Sequence, residues 1–133
     1  MTDKVQKDDA QWRKELTPKQ YAVLRLKATE PPFTGRYHNA SVPGTYMCAG
    51  CGEPLFSSES KFSSRCGWPS FTQPVEQAKV VSETDMSLGI ARTEILCARC
   101  DGHLGHVFED GPGPTGLRYC INSAALNLKP KPK

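Results

Sequence analysis

Six cysteines carry the most distinctive chemistry in this 133-residue chain, and four of them form two Cys-x-x-Cys pairs. The pairs are Cys48-Ala-Gly-Cys51 and Cys97-Ala-Arg-Cys100. Four thiolates from two such turns are the usual ligands of a closed, tetrahedral structural zinc site, and a redox-active dithiol is the alternative. The stretch between the pairs is longer than the ~15–20 residues of simple zinc ribbons. We therefore expect a sheet between the pairs, with its ends tied together by the metal.

Cys120 lies in the stretch LRYCIN, whose period of two residues predicts a β-strand. The apolar residues of this strand would face the core, and its polar residues would share the other face, namely Arg118, Cys120 and Asn122. An arginine beside a thiol favours the thiolate, which is the nucleophilic form. A thiol that fills the core as a small hydrophobe is the simpler alternative.

Two histidines, His103 and His106, lie upstream of this strand in the segment GHLGHVF. Imidazoles can supply the protons that a reaction of a thiolate needs near neutral pH. We expect a strand to start near His106, which would place His106 and Phe108 on one face, with His103 folding back towards them through the glycines. A second metal site formed by both histidines and Cys120 is the alternative.

The sixth cysteine, Cys66, lies in a polar stretch between Ser57 and Thr72 that we expect to be a loop. A loop of this length inside a compact domain is often functional. Trp68 lies in the same loop, where filling the core would be its ordinary role. An attacking thiol and a second thiol in a mobile loop form the arrangement of a redox cycle. Attack gives a sulfenic acid or a mixed species, which the second thiol resolves as a disulfide.

The N-terminal segment, residues 1–30, predicts helices. A short turn is expected from Asp9 to Leu16, followed by a helix that Thr17 caps, with proline at its first position and Gln20 completing a capping box. The prolines that begin at Pro31 would end this helix.

Beyond Phe33 the pattern changes to short strands punctuated by glycine and proline. Successive strands with short loops and no helices between them predict a mainly β fold, as an antiparallel sheet or a small barrel. The candidate strands are Thr45–Met47, Pro54–Phe56, Lys79–Glu83, Ile90–Leu96, Val107–Glu109 and Leu117–Asn122.

Length and charge limit the possible organisation and partners. The length fits a single domain over residues 1–133. The 17 basic and 14 acidic residues are mixed, and only the Pro- and Lys-rich tail at residues 127–133 is a basic cluster, so we expect no nucleic-acid partner. No apolar run approaches the ~18 residues of a membrane span, and the charged N-terminus does not match a secretory signal. We therefore expect a cytoplasmic monomer that does not bind membranes.

Three features together resemble the B-type peptide-methionine sulfoxide reductases. They are CGWPSF at residues 66–71, GHLGHVFEDGPGPTGLRYCINSAAL at residues 102–126, and both Cys-x-x-Cys pairs. The resemblance covers residues 16–126, which is nearly the whole chain. Arg65 departs from the family pattern, because glycine often precedes the loop cysteine. This change would alter the mobility of the loop and leave the chemistry in place.

The resemblance implies thiol-dependent reduction of the R epimer of methionine sulfoxide, in oxidised proteins and peptides and less readily as the free amino acid. Cys120 would be the attacking thiol, and Cys66 the resolving thiol of a disulfide that thioredoxin reduces. The family fold is a mainly antiparallel two-sheet structure with a few N-terminal helices. The other residues that match the family's site are His103, His106 and Asn122 around the sulfoxide oxygen, Arg118 beside the nucleophile, Trp68 against the S-methyl group, and Phe108 in the pocket wall.

Two other classes of protein use related features. A zinc-ribbon module that binds nucleic acid or protein would use the cysteine pairs and leave Cys66 and Cys120 inert. A zinc hydrolase or deaminase is the second alternative, but the His-x-Glu element of deaminases is absent from the sequence.

Overall fold

The computed structural model describes residues 7–31, 33, 35, 37, 42–62, 67–86, 89, 91–111 and 114–130. Cys66 and its neighbour Arg65 lie outside these residues, and so do Ile90 and the last three residues of the tail. The predictions that depend on Cys66 therefore stay predictions.

Two short helices open the described chain, α1 (Asp9–Glu15) and α2 (Pro18–Leu26). The predicted capping box is confirmed: the Thr17 hydroxyl accepts a hydrogen bond from the Gln20 N–H, and Gln20 Oε1 accepts one from the Thr17 N–H. Helix α2 ends before the predicted proline stop, because Lys27 adopts a left-handed conformation with φ of 61°. Within the described residues, no helix is long and apolar enough to cross a membrane.

Nine strands follow within the described residues, and every pairing between them is antiparallel. The strands form a three-stranded sheet in the order β2-β1-β9 and a six-stranded sheet in the order β3-β4-β8-β7-β6-β5. The predicted mainly β, antiparallel two-sheet fold with short N-terminal helices is thus confirmed. The strands are β1 (Gly44–Cys48), β2 (Pro54–Ser57), β3 (Lys61–Phe62), β4 (Ser70–Phe71), β5 (Val80–Asp85), β6 (Arg92–Cys97), β7 (His103–Phe108), β8 (Arg118–Ile121) and β9 (Leu126–Pro130).

Three of these strands are not expected from the sequence pattern. Strands β3 and β4 lie in the stretch predicted to be a loop, and two residues are too few to show an alternation. Strand β9 includes residues 127–130 of the predicted basic tail. It pairs with the whole of β1, from Gly44 with Pro130 to Cys48 with Leu126. Residues 127–130 of the predicted basic tail therefore belong to the smaller sheet.

Aromatic side chains pack the two sheets together. Phe56 of β2 stacks on Phe71 of β4 with ring centroids 4.5 Å apart, and Tyr46 of β1 contacts Phe71 edge-on at 5.2 Å. Phe56 also lies 5.8 Å from Tyr119 of β8. Tyr119 and Ile121 are buried in this core, as the alternation predicts. The core thus fixes which way β8 faces, and Cys120 points to the opposite side of the sheet.

A β-bulge sets the positions of the two histidines. Ile95 and Leu96 are consecutive on β6, but their partners on β7 are Gly105 and His103, so β7 contains one extra residue. Such an insertion reverses the alternation of side chains along the strand. His103 and His106 therefore share a face although they are three positions apart, and their ring centroids are 5.5 Å apart. The predicted strand start near His106 was wrong, because β7 begins at His103.

Candidate active site and metal centre

The four cysteines of the two pairs meet in one cluster. The Sγ atoms of Cys48, Cys51, Cys97 and Cys100 all lie within 4.8 Å of one another. Cys48 and Cys100 have their sulfurs 3.7 Å apart, and Cys51 and Cys97 have theirs 3.6 Å apart. Four sulfurs at about 2.3 Å from a tetrahedral zinc ion are about 3.8 Å from one another. The cluster therefore has the ligand set and the dimensions to hold a tetrahedral metal ion.

The two Cys-x-x-Cys turns share one backbone geometry. The N–H of Gly52 donates to the Cys48 carbonyl, and the N–H of Asp101 donates to the Cys97 carbonyl, each at 2.8 Å. Gly52 and Asp101 both have positive φ, 79° and 61°. Strand β1 of the smaller sheet ends at Cys48, and strand β6 of the larger sheet ends at Cys97. A metal in the cluster would consequently join one sheet to the other.

Both helices cover the cysteine cluster. Arg25 Nη1 donates to the Cys100 carbonyl at 2.8 Å, and its guanidinium lies 4.7 Å from the ring centroid of Trp12. A Cβ placed on Gly102 would stand 2.9 Å from Leu24 Cδ2 and 3.2 Å from Cys100 Sγ. The glycine therefore allows helix α2 to approach the thiols closely.

A pocket of about 260 Å³ opens on the face of β7 and β8 that points away from the core. It brings most of the sequence-predicted site residues together. His103 is not part of its wall, and Cys66 lies outside the described residues. The lining residues are Thr29, Trp68, Arg92, Gly105, His106, Phe108, Arg118, Cys120 and Asn122.

Cys120 lies in this pocket beside a fixed positive charge. Arg118 Nη1 donates to Cys120 Sγ at 2.8 Å. The same guanidinium bonds to both carboxylate oxygens of Asp110, at 2.7 and 3.0 Å, and stacks over the Phe108 ring at 4.7 Å. Arg118 also holds the pKa of the Asp110 carboxyl below its usual value. A guanidinium held in this way favours the thiolate of Cys120, which is only 9% exposed.

His106 stands directly opposite Cys120 in the pairing of β7 with β8. Its Nε2 lies 2.7 Å from Oδ2 of Asp85, the last residue of β5. Arg92 Nη2 lies 3.2 Å from the same carboxylate oxygen. Side chains opposed on antiparallel strands have Cβ atoms about 4.5–5.5 Å apart. The imidazole is therefore a close neighbour of the thiol, and a carboxylate fixes its orientation.

His103 has a different environment from His106. It is buried, and its Nδ1 lies 2.7 Å from Oε2 of Glu94, whose other oxygen is 3.5 Å from Lys27 Nζ. Burial lowers the pKa of His103 below its ordinary value, although Glu94 opposes the shift. His103 thus favours the neutral form, and its ring packs edge-on against that of His106, which does line the pocket.

The segment after helix α2 ties two walls of the pocket together. The carbonyl of Glu30 accepts from Trp68 Nε1 at 2.9 Å, and the N–H of Glu30 donates to Asn122 Oδ1 at 3.0 Å. Asn122 Nδ2 in turn donates to the Leu104 carbonyl at 3.0 Å. The indole of Trp68 and the amide of Asn122 are therefore held in place by backbone groups.

Sequence reasoning missed the charged residues that hold the site residues in place. They come from β5, β6 and the segment after α2, far from Cys120 in sequence. A signal existed for two of them, because the alternation of β6 places Arg92 and Glu94 on one face. The missed residues are Glu30, Asp85, Arg92 and Glu94, together with Thr29 in the pocket wall.

Comparisons with known proteins point to one family. Residues 16–130 match the model of a family described as the SelR domain. The chain is 67% identical to the peptide methionine sulfoxide reductase MsrB of Bradyrhizobium diazoefficiens, over 97% of this chain and 93% of the relative. It is 59% identical to the protein of the same name from Hahella chejuensis, over 95% and 91%. With the corresponding protein of Pseudomonas fluorescens the identity is 55%, over 97% and 99%. The chain therefore belongs to the SelR-domain family of B-type peptide-methionine sulfoxide reductases, as its sequence motifs led us to expect.

Proposed function

We propose that this protein reduces the R epimer of methionine sulfoxide, in peptides and oxidised proteins and less readily as the free amino acid. Family membership makes the chain a methionine sulfoxide reductase, and hence an oxidoreductase. The choice of epimer and the individual steps are our proposal. The observation that carries it is the contact of Arg118 Nη1 with Cys120 Sγ at 2.8 Å, inside a pocket that His106 also lines.

The first step we propose is attack of the Cys120 thiolate on the sulfoxide sulfur. The oxygen of a sulfoxide must accept a proton or a strong hydrogen bond before the sulfur becomes a good electrophile. His106 is the better candidate for this acid, because it lines the pocket and pairs with Cys120, whereas His103 does not line the pocket. The roles of Asn122 and His103 near the oxygen stay proposals, and the contacts of Asn122 with Glu30 and Leu104 also support a positioning role.

The atoms balance in this step. Attack forms a bond between Cys120 Sγ and the sulfoxide sulfur, and the histidine gives one proton to the oxygen. This sulfur–sulfur bond then breaks with its electron pair left on the methionine sulfur, while the hydroxyl group passes from that sulfur to Cys120 Sγ. The products are methionine, the sulfenic acid of Cys120 and a neutral imidazole, which takes up a proton from solvent. We propose that the thiol of Cys66 then condenses with this sulfenic acid to form a disulfide and water. Thioredoxin, oxidised in its turn, would reduce the disulfide to two thiols.

The substrate presents one methyl group and one polar S=O group to the pocket. We propose that Trp68 packs against the methyl group and that Phe108 forms the adjacent wall, because both line the pocket. The hydrogen bond from Trp68 Nε1 to the Glu30 carbonyl supports a fixed indole plane. Apolar contacts on one side and hydrogen-bond donors on the other would orient the sulfur and select one epimer.

We propose zinc as the metal of the cysteine cluster, one ion per chain, with Cys48, Cys51, Cys97 and Cys100 as its ligands. Four thiolates leave no open coordination position, so the ion would have a structural role. It would cross-link β1 to β6, and none of its ligands lines the pocket. Such a thiolate site is typical of a reducing compartment, which supports the predicted cytoplasmic location. That location and the monomeric state stay predictions.

Separating the epimers tests the proposal directly. The protein is incubated with racemic dabsyl-methionine sulfoxide and dithiothreitol, and chromatography resolves the two epimers. We expect the R epimer to disappear and the S epimer to remain. Loss of the S epimer instead would contradict the proposed stereochemistry, and loss of neither would contradict the activity. A zinc-ribbon binding module would reduce neither epimer, and the contact of Arg118 with Cys120 gives that alternative no support.

A further inference from the structure

We propose that Asp85 is the positioning residue that fixes the proton-bearing state of His106, a role that rests on the proposed function of His106 as the acid. Asp85 does not line the pocket. It contacts two residues that do line the pocket, His106 and Arg92, and neither the sequence motifs nor the family resemblance pointed to it.

The geometry places Asp85 behind His106 as seen from the pocket. Asp85 Oδ2 lies 2.7 Å from His106 Nε2, and only 16% of the Asp85 side chain and 10% of the His106 side chain are exposed. Arg92 Nη2 contacts the same oxygen at 3.2 Å, and Asp85 pairs with Arg92 across β5 and β6. The carboxylate is therefore held from a second side, which limits its freedom to swing away from the imidazole.

This contact decides which ring nitrogen carries the exchangeable proton. An ionised carboxylate only accepts hydrogen bonds, so Nε2 of His106 must be the donor. The proton that moves to the sulfoxide oxygen is then the one on Nδ1. After the transfer, the neutral ring keeps its Nε2–H bond to Asp85 and regains the Nδ1 proton from solvent. A carboxylate at this distance also favours the protonated ring.

The other charged groups around His106 are engaged elsewhere. On β6, Glu94 pairs with His106 in register, but its carboxylate contacts His103 and Lys27. On β8, Arg118 is held by Asp110 and points to the Cys120 sulfur, whose negative charge favours a protonated imidazole. His103 lies at the edge of the His106 ring and favours its neutral form.

Arg92 opposes the effect of Asp85, since its positive charge next to the shared oxygen disfavours a second positive charge on His106. Asp85 and Arg92 should therefore act in opposite directions on the protonation of one imidazole. This opposition makes the inference testable with two variants whose expected effects differ in sign.

The first test is the pH profile of methionine formation in a single turnover. In Asp85→Asn the imidazole loses the carboxylate that faces Nε2, and we expect the alkaline limb of the profile to move to lower pH. On that limb the rate would be about tenfold below wild type. KM should change little, because Asp85 does not line the pocket. Arg92→Gln should move the same limb to higher pH. The matched control is Glu83→Gln, which removes one negative charge from an exposed position on the same strand. Its alkaline limb should coincide with that of wild type.

A second measurement needs no turnover. The chain has three histidines, so NMR resonances of the imidazoles can be assigned by single substitution. The titration midpoint of His106 should fall in Asp85→Asn, rise in Arg92→Gln and stay in place in Glu83→Gln. The role of Asp85 would be overturned if Asp85→Asn and Arg92→Gln both kept the wild-type NMR midpoint of His106 and the wild-type alkaline limb of the pH profile. If wild type itself forms no methionine, the proposed function fails, whereas the NMR shifts still report on the contact of Asp85 with His106.

Discussion

Cys120 lies between two side chains with different electrostatic roles. Arg118, fixed by Asp110, stabilises a negative charge on the sulfur, and His106 faces the sulfur from the neighbouring strand. The two histidines differ because His106 lines the pocket and bonds to Asp85, whereas His103 is buried against Glu94. Identical side chains three positions apart are thus given different tasks by their surroundings.

Replacing the histidines singly should separate those tasks. His106→Ala should slow methionine formation by roughly 10²–10⁴-fold, the usual range for a positioned acid. His103→Ala should have a smaller effect, since His103 is outside the pocket wall. Rapid-quench measurement of one turnover at neutral pH gives both rates. Near-wild-type rates for both variants would end the idea of a histidine acid, and a larger loss for His103 would reverse the assignment.

His103 should also make the protein less stable in acid. Burial lowers the pKa of His103 below the value of 6.5 that it has when unperturbed, so the native state binds its proton less readily than the unfolded chain. The stabilisation is present above about pH 6.5 and is lost as the pH falls below that value. Urea unfolding should show that wild type loses more free energy of unfolding than His103→Gln between about pH 7.5 and pH 5.5. An equal loss in the two proteins would contradict this cause.

At the scale of elements, two kinds of local pattern were predictable and two were not. The capping box of Thr17 and Gln20 and the alternation of LRYCIN are short-range, so the sequence alone predicts them. The two-residue strands β3 and β4 form only because neighbours in the sheet are already in place. The bulge in β7 is a property of a strand pair, and an alternation in one strand does not reveal it.

Gly105 should be required for the spacing of β7 and β8. A Cβ at this position would stand 2.0 Å from the Cys120 carbonyl oxygen, so the two strands would have to separate. We expect Gly105→Ala to lower the free energy of unfolding by more than about 1 kcal/mol and to slow reduction, because the movement displaces Cys120. Gly50→Ala is the matched control, as its Cβ would stand 3.4 Å from the nearest atom of Trp12. Denaturant unfolding of both variants checks this, and a stable, fully active Gly105→Ala would contradict it.

The stability of the protein should depend on a metal ion bound by the two Cys-x-x-Cys turns. Cys51→Ser removes one of four ligands, so it should lose zinc and several kcal/mol of stability, because the free energy of metal binding is free energy of folding. Metal analysis and thermal unfolding measure the two effects. Cys66→Ser is the control, since the cluster already has four thiolates without Cys66, and this variant should retain full zinc. Full zinc and an unchanged Tm in Cys51→Ser would refute the structural role.

At the scale of the whole molecule, the cysteine cluster and the pocket occupy different parts of one framework. The cluster joins the ends of β1 and β6, and helices α1 and α2 cover it. The segment after α2 then continues to Glu30, which braces Trp68 and Asn122. We propose that residues 1–133 form one domain, since the two sheets share an aromatic core.

Contacts at this scale explain what the sequence did not reveal. Periodicity predicts which residues share a face, and the family motifs point to the residues around the thiol. Neither identifies partners from distant parts of the chain, such as Asp85 for His106 or Glu30 for Asn122. Those partners become visible only when the strand order and the path of the segment after α2 are known.

The most direct test of the roles of Cys120 and Cys66 is the stoichiometry of one turnover without reductant. Cys66→Ser is mixed with an excess of R-methionine sulfoxide, free methionine is counted, and the protein is analysed by mass spectrometry after trapping with dimedone. We predict about one equivalent of methionine per chain and a trapped sulfenic acid on Cys120, because the first half-reaction needs no second thiol. Cys120→Ser should give neither product. Methionine formed by Cys120→Ser, or steady turnover of Cys66→Ser with thioredoxin, would contradict the proposed division of labour between the two thiols.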